Sequence, residues 1–238
     1  MNSEQVLRLK DVSELRTLRP SWFEYQPLND AAIKHILGLC GALWLHSGNP
    51  ADPHAELTSG DHSNGFVDTL RMLRYANLCQ IFGQQLAHEI RPGYLGPIDW
   101  VIGSDHASAD FSHSVAIWLN AQHDFTEKGP DKTQLWRRFA IQPDEVVLQV
   151  EELITTTSIL QEVRQGIISG NAPLAVTFAP VIGTLVHRSK AYDYDGVPIV
   201  SLIHLDIETW KPDKCPLCQK GSRALRPKTH WVELTGRR

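Results

Sequence analysis

The sequence predicts an α/β fold in which helices flank a central parallel sheet. Apolar runs at 97–103, 146–150 and 198–205 have the composition of buried strands. The first two runs each end in a polar loop that leads into an amphipathic segment, at 114–119 and 159–168 respectively. Strands that alternate with helical patterns in this way pair in parallel, so the expected architecture is a sheet with helices on its faces.

Composition narrows the class of protein. The chain has 238 residues and a formal net charge of -4, which suits one large domain and gives no general attraction for nucleic acid. It contains no run of about 18 apolar residues, and its N-terminus lacks the apolar region of a signal peptide. We therefore expect no nucleic acid partner, no membrane span and a cytoplasmic location. Four cysteines in this length do not form a disulfide scaffold.

The first 90 residues predict helices around a small extended segment. A short helix is expected near 12–18, and Asp30 has the type and position of an N-cap for a helix through Trp44. Glycines and small polar residues at 54–68 indicate two extended pieces joined by a tight turn. Helical periodicity then runs from 67 to 90.

The stretch 146–158 carries the clearest chemical pattern. Its apolar run ends in Glu151 and Glu152, which are followed by three threonines and Ser158. Ligands of open α/β sheets bind at the carboxyl ends of strands, and a hydroxyl-rich loop before a helix offers amides and hydroxyls to an anion. The two carboxylates can hold ribose hydroxyls or Mg²⁺. The alternative is a surface turn with solvated acids.

A second polar loop follows the strand at 97–103. Asp105, His106, Asp110 and His113 are residue types that bind divalent metals, so a metal-dependent hydrolase is one possible function. General acid–base catalysis by histidine is another.

Two of these stretches resemble the orotate phosphoribosyltransferases. Residues 146–158 are similar to the phosphoribosyl-pyrophosphate (PRPP) motif, and Leu57-x-Ser59-Gly60-x-His62-Ser63-x-x-Phe66 is similar to the hood over the base in the long bacterial form. The resemblance covers roughly residues 50–222 in five stretches that occur in the family order. It implies the type I phosphoribosyltransferase fold with a helical lead (1–48), a hood (49–68), a core (69–205) and a tail (206–238).

The resemblance also implies an activity and a site. The activity is transfer of phosphoribose from PRPP to orotate with Mg²⁺, in a homodimer that shares a flexible loop. The implied catalytic residues are Glu151, Glu152 and Lys128. The implied PRPP-binding residues are Thr155, Thr156, Thr157, Ser158, Ile159, Gly103, Ser104, Asp105, His106, Lys132 and Arg137. The implied base-binding residues are Ser59, Gly60, Phe66 and Arg188.

Both phosphate-binding loops depart from the family pattern. Thr157 and Ser158 stand where the family has glycines, and so do Ala107 and Ser108. Glycine allows a phosphate to approach the backbone closely. A non-catalytic relative that binds nucleotides is therefore the alternative to the enzyme.

The tail contains Cys215 and Cys218 in a Cys-Pro-Leu-Cys turn. Such a pair can bind Zn²⁺ if two further ligands complete the site, and His204, His230 or Asp213 are the candidates from the sequence. A reduced pair of thiols is the alternative.

Overall fold

The computed structural model describes residues 1–24 and 26–236, apart from the side chain of Lys132. The helices are α1 (Ser3–Val6), α2 (Val12–Leu15), α3 (Asp30–Leu39), α4 (Leu70–Leu73), α5 (Ala76–Ile90), α6 (Ala107–Leu119), α7 (Ser158–Gly170), α8 (Pro216–Gln219) and α9 (Trp231–Thr235). The strands are β1 (Leu43–Leu45), β2 (His54–Glu56), β3 (His62–Ser63), β4 (Gly65–Val67), β5 (Trp100–Gly103), β6 (Gln122–Phe125), β7 (Glu127–Lys128), β8 (Gln134–Leu135), β9 (Val146–Ile154), β10 (Thr177–His187), β11 (Asp193–Tyr194), β12 (Val197–His204), β13 (Thr209–Trp210) and β14 (Ala224–Leu225).

The predicted α/β class with a central parallel sheet is confirmed. Six strands lie in the order β11-β12-β10-β9-β5-β6, and every neighbouring pair is parallel except β11 with β12. The central strand β9 is buried over its first six residues, as expected for a strand covered on both faces. Its carboxyl end carries Glu151 and Glu152 to the edge of the core.

Side chains alternate between two apolar layers along β9. Leu148 and Val150 belong to the large cluster that includes α3, α5 and α6. Val147 belongs to a smaller cluster with Trp100 and residues of α7. This alternation with a period of two fixes which face of the sheet each helix covers.

The helix predicted to run through Trp44 is five residues shorter than expected. It ends at Leu39 because Gly41 takes a positive φ of 65°, and the amide of Ala42 donates to the carbonyl of Leu37 over 2.8 Å. Leu43–Leu45 then forms β1, which pairs antiparallel with β4. The N-cap is Asn29, not Asp30, since its side chain accepts from the amide of Ala32 at 3.0 Å.

The helical pattern at 67–90 also divides. Val67 ends β4, and Tyr75 is extended between α4 and α5 with φ -89° and ψ 103°. A single extended residue leaves the apolar spacing on either side intact, so periodicity alone does not detect it.

The hood and the tail form one small sheet. The two extended pieces and the turn expected at 54–68 are present as β2 and β3, and Gly60 turns the chain between them with a φ of 83°. Strand β4 lies outside this sheet and pairs with β1. Strands β13 and β14 of the tail flank β3 and β2, in the order β13-β3-β2-β14. Across the described residues, no helix is long and apolar enough to cross a membrane.

Candidate functional site

A cavity of about 630 Å³ lies where β9 and β10 end, below the hood. Four of the residues predicted for the site line it, namely Ser59, Thr155, Thr156 and Arg188. They come from three separate parts of the chain, which the fold brings together at the carboxyl edge of the sheet. The other lining residues are Leu57, Lys190, Ile207, Glu208, Thr209 and Trp210.

The loop after β9 presents hydroxyls and amides to this cavity. Thr155 and Thr156 are exposed, and the hydroxyl of Thr156 lies 2.9 Å from that of Ser158. Thr157 is the N-cap of α7 but makes no capping hydrogen bond with its side chain. The first amides of the 13-residue helix therefore remain available to an anion. Ile159 packs on the core, so only its backbone faces the loop.

Arg188 supplies a cation to the same cavity. Its backbone amide donates to Ile154 at 2.9 Å, which fixes it directly after β10. The half-buried guanidinium donates to the Thr209 hydroxyl at 3.1 Å, and burial lowers its pKa. Among the described residues no carboxylate lies within 4.0 Å of it. A guanidinium in this position is suited to a planar carboxylate ligand.

Glu151 is buried against the loop that follows β5. It is only 1% exposed, and one carboxylate oxygen accepts from the hydroxyls of Ser104 at 2.7 Å and Ser108 at 2.6 Å. The Ser108 hydroxyl also contacts the carboxylate of Glu152 and lies 3.2 Å from the Glu152 amide. Neither carboxylate lines the cavity below the hood.

Both carboxyl groups have pKa values above the ordinary range of glutamate. Burial, and then the charge of Glu152, raise the pKa of Glu151 to about 7, while burial also raises the pKa of Glu152. A serine hydroxyl has a single proton to donate, yet Ser108 lies between both carboxyl groups. The arrangement is satisfied when one carboxyl is protonated and donates to the serine oxygen.

The loop between β5 and α6 has two constrained positions. A β-carbon on Gly103 would lie 2.6 Å from the carbonyl oxygen of Val150, so this glycine is required by close packing. His106 has φ 61° and ψ -119°, which is a backbone conformation that suits glycine. Its side chain is 82% exposed, with Nε2 3.4 Å from the Asp105 carboxylate.

The hydrolase residues do not assemble into a metal site. Asp105, His106, Asp110 and His113 are absent from the one group of metal-ligand residues found in the described part of the chain. The ring of His113 instead packs on that of His123, with centroids 5.2 Å apart.

Several other predicted site residues lie away from the cavity. Lys128 is exposed on β7, and Arg137 lines a separate cavity of about 660 Å³ between β8 and α7. Phe66 packs on Trp231 of α9, with ring centroids 6.1 Å apart, and Gly60 turns the chain next to Ser59. The side chain of Lys132 lies outside the described residues.

Lys190 and Trp210 line the cavity but were not predicted from the sequence. Lys190 follows Arg188 by two residues, so a strand-like alternation was a usable signal for it. Trp210 lies in the tail and reaches the cavity only because β13 pairs with β3 of the hood, which local pattern does not reveal.

The two cysteines of the tail lie beside two histidines of the hood. The ligand atoms of His54, His62, Cys215 and Cys218 are all within 4.8 Å of one another. The partners suggested by the sequence are engaged elsewhere: His204 lies 3.4 Å from His187, and His230 lies 2.8 Å from Thr229.

The chain is similar to curated orotate phosphoribosyltransferases. It is 32% identical to that of Desulforamulus reducens over 185 residues, covering 78% of this chain and 93% of the relative. It is 30% identical to that of Thermotoga petrophila over 195 residues, covering 82% and 96%. No family model matches the sequence.

Solved structures give the same fold. The orotate phosphoribosyltransferase from Aeropyrum pernix superposes with a TM-score of 0.51 at 18% identity, covering 73% of this chain and 93% of that one. The Leishmania donovani UMP synthase superposes with a TM-score of 0.52 at 13% identity, covering 76% of this chain and 37% of that one. With the sequence identities to the bacterial relatives, these matches show that the chain belongs to the phosphoribosyltransferase family, among the orotate phosphoribosyltransferases.

Proposed function

We propose that the protein transfers phosphoribose from PRPP to orotate, giving orotidine 5′-monophosphate and pyrophosphate. The observation that carries this proposal is one cavity lined both by an exposed threonine loop at a helix N-terminus and by Arg188, which has no carboxylate partner among the described residues. The phosphate of PRPP matches the helix N-terminus, and the carboxylate of orotate matches Arg188.

The 5′-phosphate of PRPP is assigned to the loop Thr155–Ile159. Exposed hydroxyls of Thr155 and Thr156 and the first amides of α7 are its donors. The orotate carboxylate is assigned to Arg188, with Ser59 of the hood above the base and Lys190 beside it. Binding both substrates at the ends of adjacent strands places the ribose carbon and the orotate nitrogen together.

The leaving group is assigned to the loop after β5, with Glu152 at the ribose. Carboxylate oxygens are ligands that Mg²⁺ takes, and one oxygen of Glu151 is buried without a partner in the described residues, so the donor set fits this ion. When bound with PRPP, Mg²⁺ neutralises the pyrophosphate charge. Lys128, Lys132 and Arg137 are proposed to add positive charge there from a neighbouring subunit of a cytoplasmic homodimer.

The reaction exchanges one bond for another. The bond from the ribose carbon to pyrophosphate oxygen breaks and its electron pair stays on pyrophosphate. The orotate nitrogen bonds to that carbon, and the proton of the nitrogen passes to solvent water. Charge accumulates on the departing oxygens, so electrostatic stabilisation there is the main catalytic contribution expected from the chain.

The test follows the loss of orotate absorbance when purified protein is mixed with PRPP, orotate and Mg²⁺. We expect turnover that requires all three and stops on addition of a chelator. Light scattering with and without PRPP tests the homodimer. Absence of turnover across neutral pH would reject the proposal.

A non-catalytic nucleotide-binding protein is the second candidate. Ser104 and Ser108 donate to Glu151 in the loop where pyrophosphate would bind, and this internal hydrogen bonding favours that alternative. Calorimetry with orotidine 5′-monophosphate and the turnover assay together separate the two functions, because only the second function predicts nucleotide binding by a protein that shows no turnover.

A further inference from the structure

Four metal-ligand side chains from opposite ends of the sequence converge between the hood and the tail. Nε2 of His54 lies 3.0 Å from Nδ1 of His62, 3.4 Å from Sγ of Cys218 and 3.6 Å from Sγ of Cys215. Nδ1 of His62 lies 3.2 Å from Sγ of Cys218. The histidines and cysteines are more than 150 residues apart in sequence, so the tertiary fold creates this cluster.

The separations fit tetrahedral zinc. Zn–N bonds of about 2.0 Å and Zn–S bonds of about 2.3 Å imply nitrogen–nitrogen distances of about 3.3 Å and nitrogen–sulfur distances of about 3.6 Å in a tetrahedron. The observed nitrogen–nitrogen distance is 3.0 Å, and the observed nitrogen–sulfur distances are 3.2 to 3.6 Å. They agree with the tetrahedral values to within about half an ångström. The remaining pairs of ligand atoms lie within 4.8 Å of one another, so holding an ion needs a closure of about 1 Å at most.

The histidine tautomer is also set for a metal. Ser222 donates its hydroxyl proton to the carbonyl of Asp52 over 2.6 Å, so its oxygen accepts from Nδ1 of His54 at 2.8 Å. That assignment leaves the lone pair of Nε2 directed at the cluster. An outer hydrogen bond that orients a ligating imidazole is the usual arrangement around bound zinc.

The turn that carries the cysteines is built to return to the hood. Gly221 takes a φ of 89°, its amide donates to the carbonyl of Cys218 at 2.9 Å, and the chain reverses so that Ser222 reaches His54. Strand β14 then runs beside β2, with Ala224 in register with His54. The turn and both strands thus hold the ligands on one side of the hood sheet.

Charge and burial agree with the same ion. His54 and Cys215 are fully buried and His62 is 8% exposed, with Cys218 the most accessible. Two thiolates neutralise one Zn²⁺, and two neutral imidazoles complete four ligands, so no net charge is buried. Two soft sulfurs and two nitrogens in a tetrahedron select zinc over magnesium or calcium.

We propose that His54, His62, Cys215 and Cys218 form a structural Zn²⁺ site that fastens the tail to the hood. The ion joins β3 to the turn after β13, and β13 presents Thr209 and Trp210 to the cavity below the hood. Because β13 borders the cavity, loss of zinc should weaken orotate binding more than it slows turnover, and this consequence rests on the proposed function.

Elemental analysis of the full-length protein, purified without chelators, tests the site itself. We expect about one zinc per chain, as four closed ligands imply, and a thiolate-to-cobalt charge-transfer band after expression with Co²⁺. Cys218→Ala should lose the metal and the band. Cys40→Ala, which removes the buried thiol directly after α3, should keep both. A metal-free wild-type protein that also takes up no Co²⁺ would overturn the proposal.

Two further measurements do not require a ligand variant to fold. Ser222→Ala should weaken zinc affinity in competition with a chromogenic chelator by about tenfold or more, because it frees the His54 ring. Removing zinc from the wild type should lower Tm by about 5 °C or more, reversibly on adding Zn²⁺. Unchanged affinity in Ser222→Ala and unchanged Tm after zinc removal would each contradict the role assigned here, whatever the activity assay shows.

Discussion

The loops that follow β5 and β9 differ in what they offer a ligand, although the two strands are neighbours in one parallel sheet. After β9, Thr155 and Thr156 are exposed and α7 begins without a side-chain cap. After β5, Ser104 and Ser108 turn inward and donate to Glu151. One loop is open to a ligand, while the other is already occupied by its own side chains.

The contrast lies in the burial of the side chains that follow each strand. Both loops stand where the resembling family carries glycines. After β9, Ser158 is exposed, Thr157 is half-buried, and the N-terminus of α7 has no side-chain cap. Ser108 is fully buried and sits between two carboxyl groups. In the proposed function, the open loop and Arg188 bind the two substrates, and the closed loop faces the leaving group.

Replacing Arg188 breaks the open side and should have the largest effect. Arg188→Gln removes the cation assigned to the orotate carboxylate, which costs about 3 kcal/mol or more, or about 100-fold in kcat/KM for orotate. Arg188→Lys keeps the positive charge but not the planar guanidinium, so its kcat/KM for orotate should lie between those of the wild type and Arg188→Gln. Steady-state kinetics with each substrate varied in turn check this prediction. If the KM for PRPP rises as much as the KM for orotate, the assignment of Arg188 to orotate is wrong.

Removing the carboxyl of Glu151, the acceptor of the closed loop after β5, should change how stability depends on pH. Its pKa of about 7 in the folded protein lies above the ordinary 4.5, so between these values the folded state holds more protons than the unfolded state. The contribution of Glu151 to stability is complete below about pH 4.5 and is lost as the pH rises through about 7. The loss is on the order of 3 kcal/mol.

Urea unfolding of wild type and Glu151→Gln from pH 5 to pH 8 measures that loss. The wild type should lose stability relative to the variant across this range. Glu145→Gln is the matched control, because backbone donation from Gln142 lowers the pKa of Glu145 and its effect therefore appears at acid pH. A constant difference between wild type and Glu151→Gln would show that the pKa of Glu151 is not raised in the folded protein.

Much of the fold was predictable, because β5, β9 and α7 have apolar spacing that is local in sequence. The site was predictable only in part. Three cavity residues directly follow the ends of predicted parallel strands, and such residues meet at one edge of the sheet: Thr155, Thr156 and Arg188. The inward turn of Glu151, and the pairing of His54 with Cys215, depend on contacts over 40 or more residues that no local pattern encodes.

Opening the closed loop tests whether its serine blocks pyrophosphate. Ser108→Gly removes the hydroxyl shared by Glu151 and Glu152, and we expect it to cost about 2 kcal/mol of stability. The space released should strengthen pyrophosphate binding about tenfold by calorimetry, because the backbone becomes accessible. Ser104→Ala removes a hydroxyl but keeps the β-carbon, so it should lose stability without that gain. Weaker pyrophosphate binding in Ser108→Gly would mean that the serine is a ligand.

The smallest effect is expected at His106, in the same closed loop. Its φ of 61° and ψ of -119° strain a residue with a β-carbon, so His106→Gly should raise stability by about 1 kcal/mol and Tm by about 3 °C. Little is lost with the imidazole, since it is 82% exposed and its contact with Asp105 is screened by solvent. His106→Ala removes the same ring but keeps the β-carbon, and it should show no gain. Equal gains in the two variants would place the strain in the ring contacts, and the loop backbone would then be relaxed like the one after β9.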